Sequence, residues 1–421
     1  MGYKTRIYYK LSITLLSPMS IGSGNSEFTD HDVLVDNNGN PFIPATSIAG
    51  VMRSYISSKY GNNFSNTMFG QIAENSQSNF DEKSKVRFYD ATVSKTFLNK
   101  SKRYISTRDC VKLEHKIGVK GAKFDFQVVE TGMKFDSFIE VFEEDFVPYI
   151  EEAMAAVEEG IITFGTKTTR GYGKCSLKVK KAVLDNIPDW ISFKMFMDDE
   201  WENRNYITLN TIEKEYYQFI ISLKLRGGLS IREYSTDVGM PDYRTIVLKS
   251  TDDYTPIVTG TSWAGAFRSR FKQIMSEQEV SEIFGTVDEK SAVSQKSNII
   301  FSESIIKNGI EKDSTRNSID RFSGATKAGA LYTDKACFYG QTDLVIEVNK
   351  SVGEKAISAL AVCLADLHNG FLAVGGLTSI GRGLFEIKKV TIEGKELKEF
   401  IIGDSVNIAK FVKEAISSEK K

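Results

Sequence analysis

The chain has 421 residues, more than one typical domain and suited to two or three. It is 41% hydrophobic and 26% charged, the profile of a soluble globular protein, and it holds no uninterrupted apolar run of the length that crosses a membrane. A net charge of −1 argues against nonspecific coating of nucleic acid, and four scattered cysteines without a C-x-x-C argue against a disulfide framework or zinc knuckle and fit a cytoplasmic location.

In chain order, Tyr8-Tyr9-Lys10-Leu11-Ser12-Ile13 reads as a β-strand, its short run rich in aromatic and β-branched residues. Polar residues interrupt the N-terminal apolar stretch and no small-residue cleavage site follows, so no signal peptide is expected. Ser20-Ile21-Gly22-Ser23-Gly24, an Asp-bearing loop and an Asn38-Gly39 turn come next. Thr46-Ser47 supply N-cap hydroxyls for a helix running to about Tyr60. Residues 83–123 then hold twelve Lys/Arg against Asp90, Asp109 and Glu114, the electrostatic footprint of phosphate binding, with a solvated charged face as the alternative. An apolar-periodic helix over roughly 147–159 ends at Gly160, a C-cap, and is followed by a Gly-rich turn and the strand Lys174-Cys175-Ser176-Leu177-Lys178-Val179. Residues 186–214 are acidic and aromatic (Trp190, Phe193, Phe196, Trp201), so this linker is expected to pack.

The series then repeats. Tyr216-Tyr217-Gln218-Phe219-Ile220-Ile221 opens a second half, and Ser230-Ile231 follows. The pattern T-S-x-A-G-x-x-R-S runs from Thr46 to Ser54 and from Thr261 to Ser269, and Phe69-Gly70 recurs as Phe284-Gly285. A helix over roughly 353–368 ends at Gly370. Gly165-Thr166-Lys167-Thr168-Thr169-Arg170-Gly171-Tyr172-Gly173 faces Gly375-Gly376-Leu377-Thr378-Ser379-Ile380-Gly381-Arg382-Gly383, both G-x-x-T-x-x-G-x-G. Each half therefore starts β-α and closes α-β around a variable middle. The expected fold is α+β: a tandem duplication of a ferredoxin-like (RRM-like) domain over 1–185 and 215–400, with inserted β-hairpin and loop segments, a linker at 186–214 and a polar tail at 401–421.

Gly-rich turns let backbone N–H groups approach phosphate, and Arg170 and Arg382 stand inside them beside Gly171, Gly173, Gly381 and Gly383. Tight strand connection is the competing reading. Arg53 and Arg268 leave the helix after each T-S pair, near an N-terminus suited to anions, where a surface salt bridge is the alternative. Arg103, Arg108, Lys112, Lys116 and Lys120 are the basic segment's candidates for phosphate contact.

The ordered set resembles the RAMP superfamily of CRISPR proteins, and within it the backbone subunits of type III effector complexes, here fused as two domains. It comprises the Gly-containing loop, the hairpin Asn38-Gly39-Asn40-Pro41-Phe42-Ile43-Pro44, the Thr46 helix, Gly260-Thr261-Ser262-Trp263-Ala264-Gly265, and Arg316-Asn317-Ser318-Ile319-Asp320-Arg321 ahead of Gly329-Ala330-Leu331-Tyr332. The resemblance implies CRISPR RNA, single-stranded target RNA and other effector subunits as partners, with Arg316 and Arg321 among the RNA contacts. It also implies one loop Asp acting with Mg²⁺ or Mn²⁺ in cutting target RNA. Counting back three residues from Val33 reaches Asp30, the expected catalytic and metal-holding residue, with Asp32 as the alternative and an Asx-turn as the bland reading. In the second half the same count from Ile246 reaches Tyr243, with Asp242 one residue off. Two rivals stand beside this: a structural subunit that does not cut, and a metal-independent CRISPR-RNA processor using His31 as general acid or base.

Overall fold

The computed structural model describes residues 5–24, 26–70, 83–98, 104–114, 117–234, 241, 243–249, 254–287, 294–402 and 405–417. The chain divides into two compact units. The first comprises residues 1–107, 124–168 and 172–214; the second takes in Arg108–Lys123, Thr169–Gly171 and Glu215–Lys421.

In chain order the first half holds β1 (Arg6–Leu15), α1 (Ala45–Tyr60), α2 (Asn62–Phe69), β2 (Val86–Phe88), β3 (Thr92–Val93), α3 (Lys95–Leu98), β4 (Ile105–Glu114), β5 (Ile117–Val129), β6 (Lys134–Val141), α4 (Val147–Glu158) and β7 (Cys175–Leu184). The sheet of unit 1 runs β2-β6-β1-β7, with β3 also on β6. β1 is antiparallel to both neighbours, Ile7 facing Val141 and Val183. That is the strand order of the split βαβ fold. β1 alternates, so Tyr9, Leu11 and Ile13 bury against Ile48, Met52 and Ile56 of α1 and Ile150 and Met154 of α4. The opposite face is covered by the linker through α5 (Ile187–Ser192) and α6 (Asp199–Glu202): Trp201, 1% exposed, packs on Tyr8, Ala182 and Leu184. The linker packs as its aromatics predict, although Trp190 and Phe196 stay largely exposed.

The second half holds β8 (Tyr216–Arg226), β9 (Gly228–Leu229), β10 (Arg232–Tyr234), β11 (Tyr243–Thr245), β12 (Ile257–Val258), α7 (Gly260–Ile274), α8 (Glu277–Phe284), β13 (Thr286–Val287), β14 (Ser294–Gln295), β15 (Ile299–Phe301), β16 (Ser304–Ile305), β17 (Ile310–Arg316), β18 (Tyr332–Phe338), β19 (Gln341–Asn349), α9 (Gly353–Asn369), β20 (Leu384–Ile392) and β21 (Lys395–Glu396). Its main sheet, β15-β19-β8-β20-β21, repeats the order of unit 1. A second sheet, β10-β11-β18-β17, joins two strands that precede α7 to two that follow it. Phe219, Trp263, Phe267, Phe271, Phe301, Leu360 and Phe385 form the core.

Two local expectations change. The T-S pairs lie inside the first turns of α1 and α7; the N-caps are Pro44, which makes no side-chain bond, and Thr259, whose hydroxyl accepts from Ser262 N. For α1 the missing cap is replaced by Asp90, whose carboxylate accepts from Ala45 N at 2.7 Å. The tail, with β22 (Ile401–Ile402), β23 (Ser405–Val406) and α10 (Ile408–Ser417), is amphipathic rather than polar: Phe411 and Ala415 bury, Phe411 stacking on Phe219.

Candidate nucleic-acid interface

The Asp-bearing loop of unit 1 separates its two carboxylates by environment. Asp32 is 6% exposed and accepts from Glu27 N (2.7 Å), Phe28 N (3.0 Å), Thr29 N (2.9 Å) and the Thr29 hydroxyl (2.8 Å). Burial alone would raise its pKa, but the hydrogen bonds from Phe28, Thr29 and Glu27 outweigh it and hold the carboxyl below its ordinary value. Asp32 thus has the Asx-turn role, tying the loop to itself. Asp30 is exposed. Its backbone N–H donates to Asp125 Oδ1 and its Oδ2 accepts from Asp125 N, both at 3.0 Å, while Gln127 N donates to the His31 carbonyl. The loop is therefore docked on β5 with one Asp30 oxygen engaged. Asp125 is a neighbour that sequence reasoning missed, because it arrives from 95 residues away.

Hydrogen bonds correct the register between the halves. Leu34 N donates to Ile21 O, and Ile246 N to Ile231 O. Val35 bridges Pro41, and Val247 bridges Pro256. Leu34 therefore answers to Ile246, one residue later than the motif count pairs them. Asp30 then answers to Asp242, which lies outside the described residues, and Tyr243 answers to His31.

The Gly-rich turns are strand connections in both units. Thr166 N and Gly376 N donate to Ser20 O and Ser230 O, each at 2.8 Å. Phe164 N pairs with Gly173 O, and Val374 N with Gly383 O, each at 2.9 Å. At Gly173 (φ +81°) and Gly383 (φ +77°) a Cβ would collide with the Phe164 and Val374 carbonyls. Their own N–H groups donate to Pro18 O and Gly228 O, so neither amide is offered to phosphate. Gly171 is buried against the Phe301 backbone, whereas Gly381 has open space around it.

The arginines separate likewise. Arg170 is exposed. Arg382 is not its counterpart; it occupies the position of Tyr172 and is 4% exposed, paired with Asp334. Arg108 is 1% exposed and paired with Glu303, Nη2 to Oε1 at 3.2 Å. These two buried pairs take Arg382 and Arg108 out of the phosphate-contact set, because a charge at such depth is held by its partner. Arg53 donates to Asn66 of α2 at 2.7 Å, and Arg268 to the carbonyl of Gly285, which caps α8, at 3.3 Å. The repeated arginine therefore ties a helix pair in each unit.

Much of the basic segment is neutralised: Lys85 by Glu143, Arg87 by Glu140, Lys95 by Asp198 and Lys123 by Asp109. Arg103 and Lys116 lie outside the described residues; Lys112 and Lys120 belong to β4 and β5. In unit 2 the β17–β18 connection carries the open surface. Asp320 Oδ1 accepts from Phe322 N and Ser323 N, both at 2.9 Å, and this turn leaves Phe322 fully exposed beside exposed Arg321, with Arg316 half-buried at its base. The sequence signal for Phe322 was present, an apolar residue directly after a turn-forming Asp-Arg, but no repeat drew attention to it.

Among the described residues no group of three or more His, Cys, Asp or Glu is placed to hold a metal. At the loop Asp30 and Asp125 are two carboxylates that each accept from the other's backbone N–H, fewer oxygen donors than a resident all-protein metal site has.

Two units of split βαβ order, each closed by the same Gly-rich turn on the same Ser-Ile carbonyl, define a tandem ferredoxin-like protein whose individuality lies in its insertions. The chain belongs to the RAMP superfamily, whose family model matches residues 12–176 and 246–386. No curated protein matches it. Among solved structures it is similar to a chain of a cryo-EM structure of the Type III-B Cmr-beta bound to cognate target RNA, at 22% identity and TM-score 0.34. That alignment covers 43% of this chain and 61% of the other. No helix among the described residues is long and apolar enough to cross a membrane.

Proposed function

We propose that the chain is a CRISPR-RNA-binding backbone subunit of a type III effector complex and that it cuts bound target RNA at its Asp loops. The observation that carries the reading is the division of labour at Asp30 and Asp32. Asp32 builds the loop, and Asp30 is presented at its surface with Oδ1 left without a hydrogen-bond partner among the described residues. That oxygen can accept from a ribose 2′-hydroxyl and orient it for in-line attack. A divalent ion held by Asp30 and Asp125 would supply positive charge for the phosphate oxygens. RNA binding is supported by Arg170, Arg321 and the exposed Phe322, since a base stacks on an aromatic ring while cations follow the backbone. The second loop, in register at Asp242, is proposed to cut one domain footprint from the first.

The test is to assemble the complex and map fragments of end-labelled target in Mg²⁺ and in EDTA. Asp30→Ala should erase one cut and Asp242→Ala the other, with binding retained. Cutting that survives both variants refutes the Asp assignment. Cutting in EDTA that is lost on His31→Ala supports the precursor-processing rival instead.

A further inference from the structure

Unit 1 turns an apolar surface outward where the linker crosses its sheet. On α5, Ile187, Trp190 and Ile191 stand at i, i+3 and i+4, one face of the helix, and no residue of α5 is buried. Ile191 is 73% exposed, and Phe196 and Met197, just beyond the helix, are 60% and 57% exposed. A row of ring contacts underlies them: Tyr8 to Phe193 at 5.1 Å, Phe193 to Trp201 at 5.6 Å, Trp201 to Phe138 at 6.0 Å, and Phe138 to Phe196 at 5.3 Å. The Trp190 indole N–H donates to the Tyr8 hydroxyl at 3.3 Å, which ties that ring to the same row. The outer side chains therefore share one packed aromatic base.

Composition and charge say what covers this surface. Trp, Phe and Met are enriched at the centres of protein interfaces, and a contiguous apolar patch rimmed by polar groups marks an interaction site. Residues 185–202 carry six carboxylates and one lysine. Asp198 is neutralised by Lys10 and Lys95, but Asp185, Asp199 and Glu202 are exposed, and among the described residues their carboxylates meet no cation. That field repels RNA phosphate and anionic lipid. A two-fold pairing with a second copy would set the same carboxylates against each other. A basic protein surface with an apolar centre is the complement. Unit 2 presents nothing similar: among its described residues beyond β20, no large apolar side chain is exposed.

We infer that this face of unit 1 docks another protein subunit of the effector complex, through a helix whose apolar stripe is flanked by Lys and Arg. The stripe sits on Trp190, Ile191 and Phe196, and its cations meet Asp185, Asp199 and Glu202. The inference rests on the subunit reading for the source of the partner, and on neither RNA binding nor cutting.

The experiment starts from the full chain alone. Of its three tryptophans, Trp201 and Trp263 are buried and Trp190 is 44% exposed, so acrylamide quenching of fluorescence reads Trp190. The probe is a synthetic amphipathic helix of Leu and Lys, with a Leu–Glu peptide of the same pattern as control. The Leu–Lys peptide should shield Trp190, less so as salt screens the charges, and the Leu–Glu peptide should not. Ile191→Asp should weaken the Leu–Lys peptide about tenfold or more, and Asp199→Lys with Glu202→Lys should weaken it severalfold. All three positions are exposed, so Tm should stay at the wild-type value. In the assembled complex, hydrogen exchange across residues 187–197 should be slower than in the lone chain. Equal shielding by both peptides, or exchange as fast in the complex as in the lone chain, overturns the inference. So does shielding of Trp190 that grows with the concentration of the lone chain, which marks a second copy, or shielding by RNA alone. A chain that enters no complex yet binds the Leu–Lys peptide overturns the subunit reading and keeps the docking surface.

Discussion

Replacing Asp32 by Ala removes the acceptor of three backbone N–H groups and the Thr29 hydroxyl. Bonds to a charged acceptor are individually strong, but Glu27 and Phe28 are exposed, so their amides regain water once freed. The net loss is therefore closer to that of a strong helix cap than to the sum of three buried bonds, about 2 kcal/mol. For a unit of this size that is a fall in Tm of about 4–8 °C. The sign with pH follows from the folded carboxyl lying below its ordinary value. The contribution is fully present above the unfolded pKa, about 3.9, and is lost as pH falls through the lower folded value. Wild type and Asp32→Ala should therefore differ at neutral pH and converge in strong acid. Asp32→Asn, which keeps one acceptor, should fall between them at neutral pH. The direct assay is hydrogen exchange read on a peptide spanning residues 26–33, where the amides of 27, 28 and 29 should lose protection in the Ala variant. Unchanged protection, or a Tm difference that persists undiminished in acid, would refute the loop-building role and reopen Asp32 as a reactive group.

Glu303→Gln should destabilise the chain by about 3–5 kcal/mol because it strands the buried Arg108 charge, and Arg108→Met with Glu303→Met should recover much of that in chemical denaturation. Gly173→Ala and Gly383→Ala combine a left-handed backbone with a carbonyl collision and should each cost more than about 3 kcal/mol. Gly381→Ala, at φ +81° in open space, should cost only about 1 kcal/mol, so equal losses at all three would refute the close-approach account. Phe322→Ala should leave stability within about 0.5 kcal/mol while weakening RNA binding by about tenfold or more; a matching loss of stability would mean the ring packs in solution.

The duplication was legible because its motifs are geometric requirements: glycines that must admit a carbonyl, small residues on a packed helix, and an alternating central strand. The side-chain roles were less legible. An arginine before a glycine reads as a phosphate contact, yet the aligned position of Arg382 in the other half is Tyr172, 2% exposed. That comparison already marked the site as inward-facing. Arg108 gave no such clue, since Glu303 is 195 residues distant and charge runs do not announce their partners. The motif count pairs Val33 with Ile246 because apolar residues were aligned where the loops differ in length, whereas the backbone bonds pair Leu34 with Ile246. Backbone bonds to Ile21 and Ile231 repeat faithfully where side-chain pattern does not.

The β17–β18 tip has a consequence for the chain's behaviour when purified. Phe322 stands wholly in water, and Ile319 (62% exposed) and Leu331 (66% exposed) flank it in the same connection. Such a patch is sticky toward any apolar surface, including its own kind. Light scattering of the lone protein should therefore rise with concentration and salt. A Phe322→Ser chain should remain dispersed, which offers a practical route to well-behaved material for crystallisation.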